Sequence, residues 1–174
     1  MQKLVMIPMI KASAFADQAR NGGYIGIPYS TLDCQAFVER VLKDCGYSYN
    51  WRGSNHMWRD ALTWRGTRDE YKQSFGHDIV PGVWVFGWRD DGGEIKRGYR
   101  DNDGNAYHVG IYLGDDTVIH STTGGVQLSP MDDNRFNRVS LAKVIDYSED
   151  TTETRFAALE ERVKRLEEML KNES

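Results

Sequence analysis

The sequence predicts an α+β fold, with N-terminal helices packed on an antiparallel sheet. Three observations carry that expectation. Helical spacing of apolar residues is confined to residues 12–64; short β-rich runs with period-two alternation fill residues 79–147; glycine and aspartate clusters separate those runs. A last segment, 155–172, has a different, heptad-like periodicity. The 174 residues therefore divide into a body over 1–147, a linker over 148–154 and a coiled-coil helix over 155–172.

The elements follow in order. Residues 12–20 read as a short helix, stopped by Asn21-Gly22-Gly23. The turn-rich Ile27-Pro28-Tyr29-Ser30-Thr31 leads into a second helix, where Cys34, Phe37, Val38, Val41, Leu42 and Cys45 share one face and Gly46 is the natural stop. Residues 51–75 carry Trp51, Trp58 and Trp64 among mixed charges, with weak helical periodicity over 54–64. Strands are expected from the β-rich run 79–88, near 94–99, and over 107–113, 117–120, 125–128 and 139–147. The 94–99 strand belongs to a polar hairpin spanning about 89–106, whose Asp101-Asn-Asp-Gly-Asn105 reads as a turn rather than a calcium loop. Its glycine comes too early and the distal glutamate is missing.

Composition removes several function classes. Residues 148–174 carry 5 of the 22 Lys/Arg and 8 of the 26 Asp/Glu, which leaves the body near neutrality at 17 and 18. That is no basic footprint for nucleic acid. No transmembrane run exists, and the apolar stretch 4–10 is short, contains Pro8 and is cut by Lys11, so neither a signal peptide nor membrane insertion is expected. Cys34 and Cys45 are eleven residues apart on one helix. At roughly 1.5 Å per residue they lie about 16 Å apart, beyond disulfide reach, so both are expected as free thiols. No metal-ligand spacing occurs, and no cofactor is expected.

Chemistry concentrates on three residues. Cys34 opens its helix, where the dipole favours a thiolate, while Asp33 beside it opposes one; a close imidazolium would tip the balance. Cys45, mid-helix on the apolar face, reads as inert core. His108 and His120 sit on consecutive strands joined by the tight Gly114-Asp115-Asp116 turn, so their side chains can lie side by side. One ring can then take the thiol proton while the other orients it. His56 and His77 lie outside this constellation.

Tyr29-Ser-Thr-Leu-Asp-Cys34-Gln-Ala-Phe-Val38, Arg52-Gly-Ser54, Val80-Pro-Gly-Val-Trp-Val-Phe86, His108-Val-Gly-Ile-Tyr-Leu-Gly114 and Val118-Ile-His-Ser121 with Gly124-Gly-Val126 occur in this order. Together they resemble the NlpC/p60 family of papain-like cell-wall peptidases, over residues 12–147. The resemblance implies a papain-like fold with Cys34 as nucleophile, His108 as general base and His120 as its orienter. It implies Tyr29 as an oxyanion donor, and Asp33, Arg52 and Ser54 along the substrate groove. The implied reaction is hydrolysis of an amide in the peptidoglycan stem peptide, between D-γ-glutamyl and a diamino acid. The chain departs from the family pattern in having Gln35-Ala36 where Ser-Gly is usual, Val83 where an aspartate is usual, a shortened loop before Asp33, and the extra 89–106 hairpin. These departures bear on substrate preference. Alternatives are an amidase of the CHAP type or an acyltransferase using the same cysteine, or a non-catalytic phage assembly protein. The absent leader suits a phage or prophage product, reaching the wall as a released lysin or a virion component.

In the tail, Phe156, Leu159, Val163, Leu166 and Leu170 form an a/d seam, with arginines 155 and 162 at g and Glu160 and Glu167 at e. A homo-oligomer is expected. Two arginine–hydrophobe–hydrophobe–glutamate signatures point to a trimer, whereas Val at a with Leu at d points to a dimer; the trimer is favoured.

Overall fold

The computed structural model describes residues 9–91, 99, 101, 103–148 and 152–173. Helix α1 (Ala12–Asn21) is preceded by the two-residue strand β1 (Ile10–Lys11), and α2 spans Cys34–Asp44. There follow α3 (Ser54–Asp60), β2 (Leu62–Gly66), α4 (Arg68–Phe75), β3 (Trp84–Arg89), β4 (Asn105–Gly114), β5 (Thr117–Thr122), β6 (Gly125–Pro130), β7 (Arg138–Ala142), β8 (Ile145–Asp146) and α5 (Thr152–Asn172). A six-stranded antiparallel sheet runs β2-β7-β3-β4-β5-β6, and β1 pairs in parallel with β8. The fold is α+β, as the sequence predicts.

Alternation along β3 and β4 divides the core between the two faces of the sheet. Trp84, Phe86, Val109, Ile111 and Leu113 meet the helices, where Phe15, Phe37, Val38, Val41 and Leu42 are fully or almost fully buried. Val83, Val85, Tyr112 and Val118 point to the other face, covered by Tyr71 of α4, by Ile79 and Val80, and by Phe136. Each such aliphatic or aromatic side chain removed from water contributes about 1.5–3 kcal/mol. The apolar stripe of α2 therefore fixes that helix against β4 and β5, and so fixes where its first residue lies.

Three differences from the sequence expectations have physical causes. Residues 54–64 are not one helix: α3 ends at Asp60, and β2 begins two residues later as the edge strand beside β7. Helix α4 was not expected, although Thr67 and Glu70 form a complete capping box and Gly76 closes it at φ 75°. The single strand expected over 139–147 is split, because Lys143 and Val144 form a turn between β7 and β8. The strand expected near 94–99 lies outside the described residues, apart from Tyr99. Around it, Arg59 donates to both carboxylate oxygens of Asp101, at 2.7 and 2.8 Å, and Arg65 pairs with Asp103. These pairs fasten the segment before β4 to α3 and β2.

Helix α5 exposes its apolar residues: Phe156, Leu159, Val163, Leu166 and Leu170 are all between 47% and 68% accessible. No helix among the described residues is long and apolar enough to cross a membrane.

Candidate active site

The start of α2 is built by its own sequence. Asp33 caps the helix, its Oδ1 accepting from Ala36 N–H at 2.8 Å, and Cys34 takes the first helical position. Cys34 is only 7% exposed, and its sulfur lies within hydrogen-bonding reach of the Val109 backbone N–H. The thiol thus abuts β4 at the residue next to His108. A second tie holds the two parts in register: the buried Ser121 hydroxyl, one residue beyond His120, donates to the carbonyl of Leu32, two residues before Cys34.

The histidines meet across β4 and β5. The two strands pair Ile111 with Ile119, Tyr112 with Val118 and Gly114 with Thr117 around a turn in which Asp115 and Asp116 both have φ near 50°. His108 and His120 lie just past the last of these pairs. Their rings cross at 79° with centroids 5.0 Å apart, and His108 Nε2 shares a 2.8 Å hydrogen bond with His120 Nδ1. Gly110 is what permits this approach. A Cβ there would lie 2.8 Å from Val118 Cγ1 and 3.0 Å from His120 Cβ. Beneath both rings sits Phe136, at 5.8 and 5.2 Å, and the far nitrogen of His120, Nε2, contacts Ser129 Oγ at 2.7 Å.

Burial governs the protonation of this cluster. It pushes the Cys34 thiol up to about 11, with Asp33 adding to the rise and the Val109 N–H opposing it. It draws His108 down to about 4 and His120 to about 3; for His120 the neighbouring His108 reinforces the drop, and the Arg135 guanidinium lowers both. Burial thus favours a neutral thiol and neutral imidazoles, and works against the thiolate that a helix start favours. Desolvation outweighs the helix dipole here, whose influence on a charge is about 0.3–1 kcal/mol at an exposed terminus.

Two adjoining hollows lie here, Cys34 lining the first and His108 the second. One, about 190 Å³, is lined by Tyr29, Asp33, Cys34, Gln35, Gly53, Ser54, Asn55, Asn105 and Tyr107. The other, about 270 Å³, is lined by Tyr29, Tyr107, His108, Ser121, Thr122, Thr123 and Arg135. Tyr29 and Tyr107 belong to both, so the tyrosines stand where the cysteine half meets the histidine half. Burial raises the Tyr29 phenol, and Cys34 and Asp33 lie near enough to add to the rise. Ser54 faces the first hollow while its hydroxyl donates to Ala106 O at 2.6 Å. Arg52 is exposed and lines neither hollow; its backbone N–H donates to His56 Nδ1 at 3.0 Å.

The remaining cysteine and histidines are elsewhere. Cys45 is half-buried at the C-cap of α2, rather than mid-core, and its backbone N–H donates to the end of the helix. His56 pairs with Asp60 at 2.6 Å, and His77 packs on Tyr71. Among the described residues, no group of three or more His, Cys, Asp or Glu is placed to hold a metal ion.

Sequence reasoning missed Ser129, Phe136, Arg135 and Tyr107. Tyr107 had a readable signal, since it precedes His108 on the same strand.

No family model matches the chain, and no curated protein does. Solved structures do. An NlpC/P60 family protein from Bacillus cereus superposes with a TM-score of 0.54 at 20% identity, over 78% of this chain and 41% of that one. The P60 domain of an antigen from M. avium subspecies paratuberculosis gives 0.52 at 15% identity, over 78% and 96%. NlpC2 from Trichomonas vaginalis gives 0.51 at 12%, over 79% and 49%. The chain thus has an NlpC/P60-like fold, and spans less than half the length of two of these three proteins.

Proposed function

We propose that this protein is a cysteine peptidase that cleaves an amide in the stem peptide of peptidoglycan, between D-γ-glutamyl and a diamino acid. The observation that carries the reading is the hydrogen-bonded His108–His120 pair beside a buried helix-start cysteine, at the junction of two hollows. Nε2 of His108 is engaged by His120, which leaves Nδ1 as the nitrogen free to take a proton.

In the proposed reaction, the Cys34 proton passes to His108 Nδ1 as the sulfur attacks the scissile carbonyl carbon. The negative oxygen that develops is held by the backbone N–H at the start of α2 and by the Tyr29 hydroxyl. As the C–N bond breaks, His108 returns the proton to the leaving amine, and a thioester remains on Cys34. Water, deprotonated by His108, then attacks that thioester and releases the acid with a regenerated thiol. Burial of the thiol has a role in this scheme: proton transfer occurs in the attack step, when charge moves onto the substrate oxygen and not onto an isolated sulfur. Because His108 stays neutral down to about 4, the acid limb of kcat/KM should fall well below the usual histidine value of about 6.5.

Asp33 at the first hollow is suited to an ammonium group of the substrate. An amidase or acyltransferase using the same Cys34 remains the second reading, since the geometry of nucleophile and base is common to all three. Mass spectrometry of purified peptidoglycan digested by the wild type and by Cys34→Ala decides. A new amino-terminal diamino acid that is absent with Cys34→Ala supports the peptidase. A freed lactyl group or an acylated acceptor assigns the alternatives, and identical digests overturn all three.

The exposed seam of α5 further supports self-association through residues 155–172, with a parallel trimer favoured over a dimer.

A further inference from the structure

We propose that Ser129 is a positioning residue of this site: its hydroxyl oxygen accepts the Nε2–H of His120, and so holds His108 in the tautomer that can receive the Cys34 proton. The proposal rests on the reading of His108 as the base, and deepens it.

The geometry is a chain of two hydrogen bonds, His108 Nε2 to His120 Nδ1 at 2.8 Å and His120 Nε2 to Ser129 Oγ at 2.7 Å. A neutral imidazole carries one proton, so the chain can run in two directions. Running outward, His108 Nε2–H donates to His120 Nδ1, His120 Nε2–H donates to the serine oxygen, and His108 Nδ1 is bare. Running inward, the serine O–H donates to His120 Nε2, His120 Nδ1–H donates to His108 Nε2, and His108 Nδ1 carries the proton. Only the outward direction leaves a base facing the thiol.

Ser129 is placed to select that direction. Strands β5 and β6 pair His120 with Gln127 and Val118 with Ser129, so the serine is the diagonal neighbour of His120 on the same face. His120 is fully buried, and among the described residues its nitrogens have no hydrogen-bond partners besides His108 and Ser129. Its Nε2–H, once formed, has the serine oxygen as its acceptor, and an orphaned buried N–H would favour the opposite tautomer. The charged group that acts on both rings is Arg135. Among the described residues, no carboxylate pairs with either ring. A neutral hydroxyl fits a relay whose members all rest uncharged.

The test pairs nitrogen NMR with kinetics on Ser129→Ala and Ser129→Thr, using the full chain with histidines labelled with 15N. In the wild type, long-range 15N–1H spectra should show Nε2 protonated and Nδ1 bare in both His108 and His120. In Ser129→Ala, the His108 Nδ1 resonance should move towards the protonated range, and kcat should fall by about 10- to 100-fold with KM within about twofold. Ser129→Thr, which keeps the acceptor, should retain both the tautomer and most of kcat. A wild type with His108 Nδ1 protonated overturns the proposal. So do unchanged tautomers in Ser129→Ala, or a threonine variant as impaired as the alanine one. If the wild type cleaves no stem peptide, the peptidase reading fails, while the tautomer spectra still decide the role of Ser129.

Discussion

The two ends of α2 hold the same side chain in different surroundings. At the N-terminal end, Cys34 is 7% exposed, faces the Val109 N–H, and has a capping carboxylate on one side and a histidine strand on the other. At the C-terminal end, Cys45 is half-buried, and the feature that matters is its backbone N–H, which closes the helix. Burial raises both thiols, and Asp33 and Asp44 respectively add to the rise. Neither cysteine is thus made reactive by its own ionisation. What separates them is position: Cys34 lies within reach of the Val109 N–H, one residue along β4 from His108, while Cys45 closes the far end of the helix. On the proposed reading, the reactivity of Cys34 would come from the strand pair opposite the helix more than from the helix terminus.

That contrast can be broken at several points. The largest effect expected is on catalysis: Cys34→Ala should lose at least about a thousandfold in muropeptide cleavage, as removal of a nucleophile generally does. Cys45→Ala should stay within about twofold, and a comparable loss in both would erase the distinction. Next comes the glycine beneath the relay. Gly110→Ala places a Cβ within 2.8–3.2 Å of Val118, His120 and Ile119, so β5 must shift. Overpacking of this kind costs about 1–3 kcal/mol, and a misplacement near 1 Å about a hundredfold in rate. Unaltered melting and unaltered turnover would show that the close approach is not needed.

A third measurement probes the thiol alone. With Cys45 replaced by serine, alkylation of Cys34 by iodoacetamide should accelerate about tenfold per pH unit between 7 and 9, because only the thiolate reacts and the group ionises at about 11. A plateau across that range would mean a pre-formed ion pair. The smallest effect concerns the cap. Asp33→Asn keeps an oxygen for the Ala36 N–H, so stability should change by less than about 1 kcal/mol. Loss of the negative neighbour should move the alkylation profile to lower pH; an unmoved profile would assign the raised thiol to burial alone.

The helix carrying Cys34 and the strands carrying both histidines were legible because their signals are local: an aspartate cap, an apolar stripe, alternation and an Asp-Asp turn. Strand β2 was not, since an edge strand of five residues, LTWRG, lacks a buried stripe. Helix α4 could have been read from Thr67 and Glu70, but only one of its side chains, Tyr71, is buried, so its periodicity is faint. The site divides in the same way. Cys34, His108 and His120 stand out as residue types with chemistry. Ser129 and Phe136 matter only through the β5–β6 register and the return of the chain before β7, and a serine or phenylalanine in a sequence says nothing of either. Arg52 shows the converse: a plausible residue beside the right motif, exposed and lining neither hollow.

The burial of Cys34 carries one more consequence. Peroxides attack thiolates and scarcely touch thiols, so a sulfur that burial favours in its protonated form presents oxidants with little to attack. On the proposed reading, the same desolvation would preserve the sulfur between reactions, and wear should track turnover rather than time.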